Sequence, residues 1–183
     1  MLSKIKYWIP LAVVVTALCG LVYVVGQQNL RQAANDPQIQ ISEDLAGQLG
    51  QKKLPTPQTA IEIIDISKSL SPFVIVYDDR GQAIASTARL NGKVPTLPKG
   101  VLEYTKVHKQ DRITWEPQKG IRHAIVVTRV ENGIKGYVLA GRSLREVEKR
   151  EDMLLQQVGL SWIIILAVSL VAKIMFIETN KKK

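Results

Sequence analysis

Hydrophobic positions are not spread evenly along this chain; they crowd at its two ends. Tyr7–Gly26 (YWIPLAVVVTALCGLVYVVG) carries no charge. At about 1.5 Å per residue, a helix of that run crosses a hydrocarbon core of about 30 Å. Pro10 falls in its first turns, where a missing N–H costs little. A second apolar block follows Arg150, Glu151 and Asp152, with its span at Val158–Ile177. Lys173 sits in its last turns, within reach of the headgroups, and Trp162 suits the opposite interface. The pattern predicts two transmembrane helices, with 1–6 and 178–183 as short tails and 27–157 as the segment between them. The first block is long for the apolar part of a signal peptide. Val24, Val25 and Gly26 also make a poor cleavage site, so it reads as an uncleaved anchor. Leu18 before Cys19 argues against lipoprotein processing.

The middle segment changes rhythm several times. Gln27–Gln51 reads as helix, interrupted at Pro37, with Asp36 placed to cap a restart. After it, Ile41, Leu45 and Leu49 recur every four residues and predict one buried helix face. Lys52–Thr59, with Pro55 and Pro57, is a break, and Ala60–Leu70 is read as a short helix. Phe73–Tyr77 (FVIVY) is β-branched and continuously apolar, the pattern of a central strand. Asp78-Asp79-Arg80-Gly81 is a turn, and Gln82–Thr87 returns as its hairpin partner. Asn91–Gly100 is loop, Val101–His108 a short helix and Arg112–Glu116 a strand. Pro117–Gly120 is a turn, and Ile121–Val130 and Lys135–Gly141 are strands joined at Glu131-Asn132-Gly133. Ser143, three residues before Glu146, forms a capping-box pattern at the start of a helix running into the second apolar block. The predicted fold class is α+β: a five-stranded antiparallel sheet with long N- and C-terminal helices, flanked by two transmembrane helices.

Charge adds orientation. Lys4 and Lys6 precede the first block; Lys173 and Lys181–Lys183 mark the far end of the second. Basic flanks stay cytoplasmic, so both termini are expected inside the cell membrane and the middle domain outside. The formal net charge of the chain is +9. Its basic residues are scattered among acids without an aromatic-interleaved stripe, which excludes a nucleic-acid surface. The Lys181–Lys183 tail suits anionic lipid. A single cysteine, Cys19, excludes an internal disulfide framework, and no CxxC pair is present.

The long entry helix, the five strands, the YDDRG turn and the exit helix together resemble the extracytoplasmic Cache/PAS-like sensor domains of bacterial receptors. Ala34–Gln38 (ANDPQ), Ser69–Asp78 (SLSPFVIVYD) and Gly141–Glu148 (GRSLREVE) look like pieces of a family of uncharacterised bacterial two-span membrane proteins. The resemblance implies a membrane-anchored sensor-like module that binds a small molecule. Receptors of that kind continue into a signalling region after the second span. This sequence departs there, so output is expected from a membrane or signalling protein partner. Leu144, Val147 and Leu154 form a partial heptad, compatible with a homodimer. The rival expectation is a scaffold or docking protein of the envelope.

The chemistry is sparse. No GxSxG, HExxH, GxGxxG or GxxxxGK[ST] motif occurs. His108 and His123 have no acidic or cysteine companions at ligand spacing. No enzyme activity, metal or cofactor is expected. PAS-like sheets hold ligands between the sheet face and its covering loops. In this sequence the residues suited to such a lining are Tyr77, Arg89, Tyr104, Trp115, His123 and Arg142. The arginines offer rigid forks for carboxylates, and Trp115 and Tyr104 flat apolar walls. The plainer reading makes Tyr77 and Trp115 ordinary core and leaves the two arginines paired locally.

Overall fold

A computed structural model describes residues 8–51 and 63–179. The flanking Lys4 and Lys6, the Lys52–Thr59 break, the first part of Ala60–Leu70 and the Lys181–Lys183 tail lie outside the described residues. The chain divides into two compact units: Arg31–Val147, and the two ends, Met1–Leu30 with Glu148–Lys183.

Three helices are described. α1 is Ile9–Gly50, α2 is Val101–His108 and α3 is Arg145–Thr179. The apolar parts of α1 and α3 are long enough to cross a membrane and are not buried within the protein. Within their unit the two helices run antiparallel and touch at three levels. Trp8 Nε1 donates to Ser169 Oγ at 3.0 Å. Trp162 Nε1 donates to Thr16 Oγ1 at 2.9 Å. Further along, Gly26 leaves room for the Leu154 side chain, which a Cβ there would meet at 2.7 Å. Each hydroxyl also donates to its own helix, Thr16 to the Ala12 carbonyl and Ser169 to that of Leu166. The hydroxyl proton is spent locally, which leaves a lone pair free to accept the indole.

Among its described residues the sheet unit carries seven strands. They are β1 (Ile64–Asp65), β2 (Phe73–Asp78), β3 (Ala83–Ser86), β4 (Ala88–Arg89), β5 (Gln110–Gln118), β6 (Ile121–Val130) and β7 (Gly136–Ser143). Five form an antiparallel sheet in the order β3-β2-β7-β6-β5, while β1 and β4 make a small parallel ribbon. The last strand thus inserts between the first hairpin and β6, pairing Phe73–Asp78 with Gly141–Gly136. Gly136 is required at that junction, because a Cβ would collide with the Tyr77 carbonyl. The β2–β3 turn is closed by Asp78, whose carboxylate accepts the N–H groups of Arg80 (3.0 Å) and Gln82 (2.7 Å), with Gly81 at φ 79°.

Alternation along the strands sorts side chains onto two faces. The front face carries Phe73, Ile75, Tyr77, Trp115, Ile125, Val127, Tyr137 and Leu139. Val101 and Leu102 of α2, Ile66, Ala88 and the loop residues Leu90, Val94 and Leu97 complete that cluster. The back face presents Val74, Val76, Val130 and Val138 to Leu45, Ala46 and Leu49 of α1.

Three expectations need correction. First, α1 runs unbroken through Pro37, so Asp36 caps no restart. Second, Ile64–Asp65 is strand rather than helix, followed by a turn. The Asp65 carboxylate accepts both the Ser67 N–H (3.0 Å) and the Ser67 hydroxyl (2.6 Å), which offers the backbone a turn in place of a helix. These bonds also hold the Asp65 carboxyl below its usual range. Third, the buried face of α1 is not centred on Ile41, Leu45 and Leu49. Its buried positions are Gln38, Ser42, Ala46 and Leu49, a stripe that includes two polar residues. At the start of α3, Ser143 Oγ accepts the Arg145 N–H at 3.3 Å, an N-cap bond one position short of Glu146.

Candidate functional site

The six candidate residues come from different parts of the sheet unit. Trp115 and His123 are neighbours across β5 and β6, paired in register, with ring centroids 6.1 Å apart. Phe73 joins them edge-on, its ring centroid 5.2 Å from His123. Gly141 stands beneath this cluster because any Cβ there would strike the Phe73 ring. Trp115 is 2% and His123 1% exposed, so the cluster is closed to solvent.

Tyr77 is on the same face but four residues along β2 from Phe73, about 13 Å at strand spacing. It pairs there with Tyr137. Its hydroxyl is buried without a partner, and burial pushes its pKa well up. Arg89 lies in the β4 ribbon, where its guanidinium donates to the Ser86 (3.2 Å) and Ala88 (2.8 Å) carbonyls. Tyr104 is on the outer side of α2, half exposed, stacked on His108 at 4.0 Å. Arg142 is exposed and falls on the back face, since a Cβ at the neighbouring Gly141 would meet Phe73 and Ile125 of the front. The structure therefore joins Trp115 with His123, places Tyr77 further along the same face, and separates Arg89, Tyr104 and Arg142 from them.

His123 is the unusual member. Neither ring nitrogen has a hydrogen-bond partner. Burial lowers its pKa to about 4, and the nearby Arg142 backbone opposes that shift without satisfying either nitrogen. The ring is neutral at physiological pH, with one donor and one acceptor unspent. A buried group left unpaired costs about 1–3 kcal/mol. Phe73 was the member of the cluster missed in the sequence, where it reads only as the first residue of an apolar strand.

An open groove of the sheet unit lies elsewhere. It measures about 570 Å³ and is lined by Glu43 and Gly47 of α1, Lys109 at the end of α2, Gln110 and Arg129 of the sheet, and Glu131 of the β6–β7 loop. Lys109 and Glu131 form an exposed ion pair across it at 3.3 Å. None of the six candidate residues lines it. Among the described residues no cluster of His, Cys, Asp and Glu is arranged to hold a metal ion. No family model matches the chain, and no curated protein matches its sequence.

Proposed function

We propose that this chain is a membrane-anchored, sensor-like module. Its sheet unit binds a small polar molecule at the Phe73–Trp115–His123 cluster and passes the change to a partner protein in the membrane. The observation that carries this reading is the unpartnered His123 imidazole within an aromatic enclosure. A ligand offering one acceptor and one donor would recover the hydrogen bonds the ring lacks, and a flat ligand would stack on Trp115. The cluster is closed, so entry requires the covering layer of α2 and the Leu90–Leu97 loop to open. Binding to the opened form would shift the equilibrium by its differential affinity for the two states. The test is a thermal-shift screen of the full chain in nanodiscs against amino acids, carboxylates, polyamines and nucleosides. A ligand at about 100 times its dissociation constant adds roughly 2.7 kcal/mol. The expected result is a rise in Tm that His123→Phe abolishes and Arg142→Ala preserves. No rise with any compound would overturn the reading.

The domain is proposed to lie outside the cell membrane with both termini inside, on the strength of the basic flanks. A membrane-impermeant maleimide should then label Asn132→Cys in intact cells. Labelling only after the cells are opened would reverse the orientation.

A second reading is favoured by how completely side chains of the chain fill the front face: here the domain is an envelope docking or scaffold module. The screen separates the two, since a docking module responds to a protein and to none of these compounds.

A further inference from the structure

The contact between α1 and the back of the sheet changes character halfway along. Its downstream part is apolar: Ala46 and Leu49 pack with Val130 and Val138, flanked by Leu45, Val74 and Val76. The β6–β7 hairpin fastens the same end, with the Ile134 N–H donating to the Leu49 carbonyl at 3.3 Å. Gly133, at φ 69°, lies so close to that helix end that a Cβ would stand 2.6 Å from the Leu49 carbonyl oxygen.

The upstream part is polar although equally buried. Ser42 is fully buried, bonded to Thr128 Oγ1 at 2.9 Å and donating to the Ile39 carbonyl at 3.0 Å. Thr128 also accepts from Gln110 Nε2 at 3.1 Å, and that amide donates to Glu43 Oε1 at 2.9 Å. One turn further back, Gln38 is 0% exposed and neither of its amide atoms has a partner. These halves respond differently to water. Exposing the apolar half loses its burial energy, with nothing in exchange. Exposing the polar half swaps protein hydrogen bonds for water ones at little net cost and relieves the stranded Gln38 amide.

We infer that the Gln38–Ser42–Thr128 seam is a release point: the upstream half of this α1 segment lifts from the sheet while Ala46–Gly50 stays pinned as a fulcrum. The lifting needs no change in the front face, so it stands whether or not His123 binds a ligand. It gives α1 two seatings on an intact sheet, the kind of bistable element that local opening supplies.

The test uses the full chain in nanodiscs in a Cys19→Ser background, with single thiols at Ser42→Cys and Ala46→Cys. Under native conditions a small water-soluble thiol reagent should modify the first at least about tenfold faster than the second. Adding Gln38→Leu removes the stranded amide and should slow the Ser42→Cys reaction about tenfold, leaving Ala46→Cys unchanged. Equal rates at the two positions would overturn the inference. So would a Ser42→Cys rate that Gln38→Leu leaves unchanged or raises, the last meaning that the amide supports the seated state. If Ser42→Cys does not fold, Thr128→Cys reports the same seam from the sheet side, with the same expected ratio and the same refutation.

Discussion

The two faces of the sheet are covered in opposite ways. In front, aromatic and branched side chains from the strands meet α2, the β1–β4 ribbon and a loop, and the main polar intrusion is the His123 ring. Behind, α1 packs on the strands, and two of its four buried positions are a glutamine and a serine. Both faces are buried, so burial alone does not tell them apart. What differs is how the contact is made: the front is held by excluded water, the back partly by bonds that water can replace. Opening the front exposes apolar surface throughout, whereas opening the upstream part of the back exposes mainly polar groups.

The largest effect expected from breaking this contrast is on the front face. Trp115→Ala should cost about 3–5 kcal/mol, read from the urea unfolding midpoint of the full chain in nanodiscs. A loss below about 1 kcal/mol would show that Trp115 is not part of a packed core. The next effect is a pH dependence from His123. Its folded pKa of about 4 lies below the ordinary 6.5, so between those values the unfolded chain binds more protons. Its contribution is present above about pH 6.5 and is lost as pH falls, levelling off near pH 4, a span of about 3 kcal/mol. His123→Phe should flatten that slope; an unchanged slope would assign it to other groups. On the back face, Gln38→Leu should raise the same midpoint by about 1–2 kcal/mol, the opposite sign to Trp115→Ala. A loss instead of a gain would mean that the Gln38 amide supports the back face.

Much of the fold was legible because its signals are local. Val101–His108 and Ile121–Val130 have the bounds the sequence suggests, and Asp78–Gly81 turns as its residues require. Long-range facts were not legible. Nothing near Gly136 announces that its strand lies beside Phe73–Asp78, because the partner is distant in sequence. The ribbon at Ile64–Asp65 was hidden because an isoleucine-rich run suits either period, and the Asp65–Ser67 bonds decide it. The α1 face was misjudged because periodicity follows hydrophobic side chains, and this stripe begins with a glutamine and a serine. At the candidate site, the sequence offered Trp115 and His123 as single residues. Their meeting depends on the β5–β6 register, and the closure around them on Phe73 and Gly141 from two other strands.

The pairing of the two apolar helices has a kinematic consequence. One indole reaches across from Trp8, just ahead of α1, and one from Trp162 of α3; between those ties the chain advances eight positions from Trp8 to Thr16 and seven from Trp162 to Ser169. They are rungs about 12 Å apart along the axis. Sliding one helix past the other by a full turn, about 5.4 Å, would pull both rungs out of range together, whereas tilting the pair as one body strains neither. The two indole ties therefore oppose a piston-like slide of one helix past the other and leave a joint lean unopposed, as the rungs of a ladder do.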